Sequence, residues 1–255
     1  MGDISLYTLI FLIGAGFLAG LIDSVVGGGG LISTPALLFT GISPSTAIAT
    51  SKLASATGSL MSTISFVRSG KVNFKFVSKL IPLTLIGAIL GAIVFLHISS
   101  EMLKPIVLVL LVIVAIYTIV KKDWGKKSNY KGMSFKRAII FGTIIFGIGF
   151  YDGFFGPGTG SFLLFAILSL GFDFVESAGN AKVLNLVSNV AALTIFLYLG
   201  VVNFTYGIPI SIAMTLGALV GSNLAIKKGA AYVRVLFILV TVFLIGKNVL
   251  NYFHT

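Results

Sequence analysis

The sequence predicts an all-α integral membrane protein made of two homologous halves, inverted relative to each other, with glycine-broken helices at their interface. Composition is the first observation: 57% of the 255 residues are hydrophobic and 10% are charged, whereas an average soluble domain carries about 25% charged residues. The second is a series of apolar runs long enough to cross a bilayer. The third is a set of uncommon residues that returns in register in the second half of the chain.

The apolar runs cover residues 4–22, 46–67, 76–96, 103–120, 138–155, 180–200, 205–226 and 232–246. Each is long enough for a membrane-crossing helix and too long for a barrel strand, and only helices or closed barrels satisfy the backbone in lipid. The first run lacks a basic n-region, so it is not read as a cleaved signal peptide. Two shorter apolar pieces, 31–42 and 161–171, follow glycine clusters and fall short of an upright span.

At an offset of 129, Phe17, Gly20, Asp23, Gly27 and Gly29 return as Phe146, Gly149, Asp152, Gly156 and Gly158. At an offset of 130, Gly41, Lys52, Val72, Asn73, Phe74, Gly87, Ala88 and Gly91 return as Gly171, Lys182, Val202, Asn203, Phe204, Gly217, Ala218 and Gly221. Apolar composition alone would match Leu, Ile and Val, not these residues. The reading is a first transmembrane repeat over 1–120, a basic cytoplasmic linker over 121–137 and a second repeat over 138–255. Internal repeats of this kind characterise secondary transporters.

Charge sets the orientation. Of 18 basic residues, 14 fall in three segments: Arg68, Lys71, Lys75 and Lys79; then Lys121, Lys122, Lys126, Lys127, Lys131, Lys136 and Arg137; then Lys227, Lys228 and Arg234. Placing all three in the cytoplasm requires an even number of crossings between the second and the third. Inverted halves meet that requirement and put both termini outside; parallel halves do not. Because the +11 net charge sits in these connections, it marks orientation and not a nucleic-acid surface.

The run Asp23-Ser-Val-Val-Gly-Gly-Gly-Gly30 and its counterpart Asp152-Gly-Phe-Phe-Gly-Pro-Gly-Thr-Gly160 each end one helix and begin a short one. Glycine there opens the helix and bares N–H groups, which membrane interiors tolerate only where protein or a wet cavity covers them. A restarting helix points its positive end at that cavity, which is an anion site in outline. The expected donors are the N–H groups of Gly28, Gly29, Gly30, Gly158 and Gly160, the hydroxyls of Thr50, Ser51 and Thr159, the amide of Asn180, and the ammonium groups of Lys52 and Lys182.

Intramembrane charges are expensive and mark pathways or pairs. One reading pairs Asp23 with Lys52 and Asp152 with Lys182, tying each half to itself. A second gives the lysines to substrate and the aspartates to proton coupling. A third lets the lysines snorkel to the interface. Gly87-xxx-Gly91 and Gly217-xxx-Gly221 read as helix-packing motifs, Asn73 and Asn203 as caps, and His97 and His254 as interfacial residues.

The chain has no Cys, which excludes disulfides and a cysteine nucleophile. Four consecutive glycines without a following Lys-Ser/Thr do not make a nucleotide loop, and neither a metal-ligand cluster nor a serine–base pair is visible. The expectation is therefore no cofactor, no metal and no catalytic site. A membrane scaffold is the alternative to a transporter.

The residues from Gly16-Phe-Leu-Ala-Gly-Leu-Ile-Asp-Ser-Val-Val-Gly-Gly-Gly-Gly30 through Ala49-Thr-Ser-Lys52 to Gly149-Phe-Tyr-Asp-Gly-Phe-Phe-Gly-Pro-Gly-Thr-Gly-Ser-Phe162 resemble the sulfite exporter TauE/SafE family of prokaryotic permeases. The resemblance covers nearly the whole chain. It implies an inner-membrane protein that moves a small sulfur-containing anion, sulfite or an organosulfonate, usually outward, and an anion-binding role for the glycine segments and lysines.

Overall fold

In the computed structural model, residues 4–98, 128, 130 and 132–229 are described. The expected spans 103–120 and 232–246 and most of the linker lie outside them. The described residues form helices and no strand: α1 Leu6–Val26, α2 Gly30–Leu38, α3 Pro44–Arg68, α4 Phe74–Val77, α5 Ile81–Leu96, α6 Phe135–Phe154, α7 Thr159–Leu168, α8 Phe174–Tyr198 and α9 Phe204–Lys228. Four of them, α1, α6, α8 and α9, are long and apolar enough to cross a membrane.

Local chemistry sets the ends. Ser43 caps α3 by accepting Thr46 N–H, with Pro44 in the first turn, where its missing donor costs nothing. Asn73 and Asn203 accept from Phe76 and Tyr206, as caps should. Several boundaries differ from the sequence reading. The α6 helix begins at Phe135, so the last linker residues, among them Lys136 and Arg137, form its first turn. The run 76–96 divides into α4 and α5, with turn residues between. The α3 helix has the length of a span, but its many Ser and Thr residues keep it out of the strongly apolar group. Ser59 and Ser62 satisfy themselves on carbonyls of their own helix.

The glycine clusters build two helical hairpins. Phe11, near the start of α1, meets Phe39, just past α2, edge to face at 6.2 Å. The short arm therefore returns toward the end of the molecule where the long arm began. In the second half, Phe141 near the start of α6 shares a core with Ile167 at the end of α7 and Phe172 just beyond it. The two hairpins open at opposite ends. One end holds Phe66, Phe76, Phe141, Phe172 and Ala225 in a single cluster, with Tyr130 of the linker stacked on Phe172 at 4.1 Å. The other holds Ile48, Phe95, Phe196 and Val202.

Small residues lock the N-terminal half to the C-terminal half. A side chain at Gly87 or Gly91 of α5 would strike the backbone of α6 at Phe146, Phe150 and Phe154, and one at Gly217 or Gly221 of α9 would strike α1 at Phe17 and Leu21. The partners reciprocate: Gly149 lies against Thr84, and Gly16 against Ile210. Both motifs thus act in packing, and both join one half to the other.

Candidate functional site

The hairpin tips meet deep in the protein. Ser161 Oγ donates to Gly27 O at 2.9 Å, and a Cβ on Gly160 would come within 2.7 Å of Gly27 Cα. Backbone this close tolerates no side chain on either strand of the contact, which accounts for glycine at both tips.

Two ion pairs flank the tips. Lys52 Nζ of α3 lies 2.6 Å from Asp152 Oδ1 of α6, and Lys182 Nζ of α8 lies 2.7 Å from Asp23 Oδ2 of α1. The expected pairing within each half is thus replaced by pairing across the halves, because each hairpin tip reaches the long helix of the opposite half. Snorkelling is excluded for both lysines, whose side chains are 2% exposed. These four are the buried charged residues among the described ones, and their charges cancel.

The two carboxylates are held differently. Asp23 Oδ1 accepts the N–H groups of Gly28 and Gly29 at 3.1 and 3.0 Å. Those two donors, expected to face a ligand, are therefore committed to the protein's own carboxylate. Asp152 Oδ2 instead accepts Asn185 Nδ2 at 3.3 Å and the hydroxyl of Ser188. Lys52 Nζ also donates to Asn189 Oδ1 at 3.2 Å.

Other expected donors are likewise engaged. Ser51 donates to Ile48 O and accepts from Thr34, and Thr159 donates to Gly156 O. Thr50 and Asn180 point elsewhere: each accepts the backbone N–H of the asparagine that caps a helix of the other half, Asn203 and Asn73 respectively. Gly29 has φ −54 and turns toward Asp23, Ala19 and Met214.

What remains faces a small cavity between the tips and helices α3 and α8, lined by Gly28, Gly30, Ser51, Lys52, Gly158, Thr159 and Gly160 with both aspartates. The N–H groups of Gly30, Gly158 and Gly160 donate to no group among the described residues. Lys182, Thr50, Asn180 and Gly29 do not reach it. The volume is about 10 Å³, roughly enough for one water.

Residues 12–248 match the family model described as sulfite exporter TauE/SafE. The chain belongs to that family. It is similar to the probable membrane transporter protein ORF9 of Sinorhizobium sp, 38% identical over 95% of this chain and 92% of that protein. The probable membrane transporter protein YfcA of Escherichia coli K12 is 35% identical over 90% of this chain and 85% of its own. A probable membrane transporter protein of Haemophilus influenzae is 32% identical over 99% of both. No solved structure matches. As a TauE/SafE protein the chain is a multi-pass cytoplasmic-membrane transporter and not an enzyme.

In this TauE/SafE protein, residues outside the expected donor set line the same cavity: Phe155, Gly156 and Pro157 of the second glycine motif, and Ser55, Asn185 and Asn189, which the motifs do not include. Ser55 and Asn185, and Asn189 with its counterpart Ser59, are one and two turns beyond the lysines at the offset of 130. That helical spacing from Lys52 and Lys182 was the signal available for them.

Proposed function

We propose that this transporter carries a small sulfur-containing anion, sulfite or an organosulfonate, outward, binding it between the two hairpin tips. The observation that carries the reading is the cavity where Lys52 and three N–H groups without acceptors, those of Gly30, Gly158 and Gly160, converge. Such N–H groups at helix starts favour an oxyanion, and membership of the sulfite exporter family favours a sulfur oxyanion.

A volume near 10 Å³ is smaller than an anion of four heavy atoms. Binding therefore requires the tips to part, and both ion pairs cross the boundary where they would part. The halves act as inverted repeats, 1–120 and 138–255 joined by the linker 121–137. In support, corresponding helices α1 and α6 start at opposite ends, and Tyr130, Phe76 beside Lys75, and Ala225 near Lys227 and Lys228 all gather at one end. That end is the cytoplasmic one by its basic residues.

Flux into proteoliposomes tests the reading, with sulfite, methanesulfonate, sulfate and chloride compared. Saturable flux of sulfite or methanesulfonate above chloride is expected. Folded protein that moves no anion would leave the scaffold reading in its place.

A further inference from the structure

We propose that Asp152 takes up a proton each time an anion binds, passing its hydrogen bond to Ser188, while Asp23 stays ionised throughout. This rests on the anion-transport reading above. The four buried charges already sum to zero. An added monoanion would leave net charge inside the membrane, which is costly. A proton on one carboxylate restores the balance and frees its lysine for the anion.

The two carboxylates differ in what they offer a proton. Asp23 is surrounded by donors: Gly28 N–H, Gly29 N–H and Lys182. None of these can accept a hydrogen bond. Asp152 faces Ser188, whose hydroxyl both donates and accepts. Ser188 Oγ also lies 3.2 Å from Leu184 O and 3.1 Å from Asn185 O. Its proton can turn to either carbonyl while Oγ accepts from a protonated Oδ2 of Asp152. Both states are satisfied without moving a helix. Lys52, released, keeps Asn189 and faces the cavity.

The first half lacks this device. The counterpart of Ser188 at the offset of 130 is Gly58, whose place toward α9 is filled by Met214. The charged and titratable neighbours of Asp152 are few. Helix α3 contributes Lys52. Helix α8 contributes Lys182, engaged by Asp23, and Glu176 in its first turn. On α6 itself, Tyr151 donates to Pro157 O, and Lys136 and Arg137 lie in the first turn. Helices α5 and α7 carry no titratable side chain. The proton comes from water on the side from which the anion enters and leaves with the anion on the other side.

The test counts protons. Purified protein in lightly buffered detergent is mixed with methanesulfonate, whose headgroup takes up no proton near neutral pH, and a dye follows the pH. If only sulfite binds, sulfite is used against a protein-free blank. Uptake of about one proton per bound anion is expected; binding without uptake overturns the proposal. In proteoliposomes Asp152→Asn should lose anion-driven proton movement, and proton movement at the wild-type rate would overturn the proposal. Should that variant fail to fold, the wild-type proton count decides alone. Infrared difference spectra on anion addition should show a protonated carboxyl band, shifted in Ser188→Ala; an unshifted band removes Ser188 from the scheme. Anion flux without protons defeats this proposal only, whereas no binding or flux of any anion defeats the transport reading and this one with it.

Discussion

Asn180 Oδ1 on α8 accepts the backbone N–H of Asn73, at the start of α4, at 2.8 Å. Thr50 on α3 does the same for Asn203, at the start of α9, at 2.9 Å. Each residue sits two places before a buried lysine, so each long helix uses opposite faces of one turn for two tasks. One face fixes the other half's helix start, and the other holds the other half's aspartate.

The first prediction follows from that bond. Asn180→Ala leaves the part-buried N–H of Asn73 without its acceptor, a loss of about 0.5 to 1.5 kcal/mol. Thermal stability in detergent should fall, while anion affinity of the surviving protein stays unchanged. A weakened affinity with unaltered stability would return Asn180 to the binding site.

The second concerns the crossed ion pairs. Lys52→Gln or Lys182→Gln alone strands a buried carboxylate at a cost of about 3 to 5 kcal/mol. The partner that restores folding lies in the opposite half: Asp152→Asn for Lys52→Gln, and Asp23→Asn for Lys182→Gln. Yield of monodisperse protein measures this, and recovery by the same-half partner instead would contradict the geometry. Among the folded double variants, the Lys52 pair should lose anion flux more than the Lys182 pair, since only Lys52 lines the cavity.

Topology supplies the third. The chain has no Cys, so single cysteines report without background. Lys71→Cys and Lys228→Cys should both react with an impermeant reagent from the cytoplasmic side, and Ile42→Cys, in the turn after α2, from the outside. Labelling of the first two from opposite sides would require parallel halves.

The sequence showed much of this architecture because membrane helices write themselves in long apolar runs, and because the repeat preserves rare residues. Helices α1, α6, α8 and α9 were legible for that reason, as were the glycine breaks. The pairing of the charges was not. Within one half, Asp23 and Lys52 look like partners, and nothing in linear spacing says that the hairpin tip passes Lys52 to reach Lys182. Nor does spacing reveal that Gly28 and Gly29 spend their N–H groups on Asp23. That depends on φ values near +75 and +120 at Gly27 and Gly28, which bend the chain back over its own carboxylate. Ser188 does not stand out in the sequence because its counterpart in the first half is Gly58, and the repeat draws attention to what is shared.

The last prediction separates two glycines that occupy equivalent places in the sequence. Gly158 has φ +85 and its N–H donates to no described group, so Gly158→Ala forces a side chain into the left-handed region at about 1 to 2 kcal/mol and distorts the cavity wall. Gly29 has an ordinary helical φ of −54, so strain does not arise there. A Cβ on Gly29 would instead come within 2.7 Å of Asp23 Cβ and of Met214 Cε, and 2.9 Å of Ala19 O. Gly29→Ala should therefore push on the Asp23–Lys182 pair and lower thermal stability, leaving the anion concentration for half-maximal flux unchanged in the folded fraction. Gly158→Ala should raise that concentration at modest cost in stability. If both variants alter only stability, the N–H groups of the second hairpin do not touch the anion.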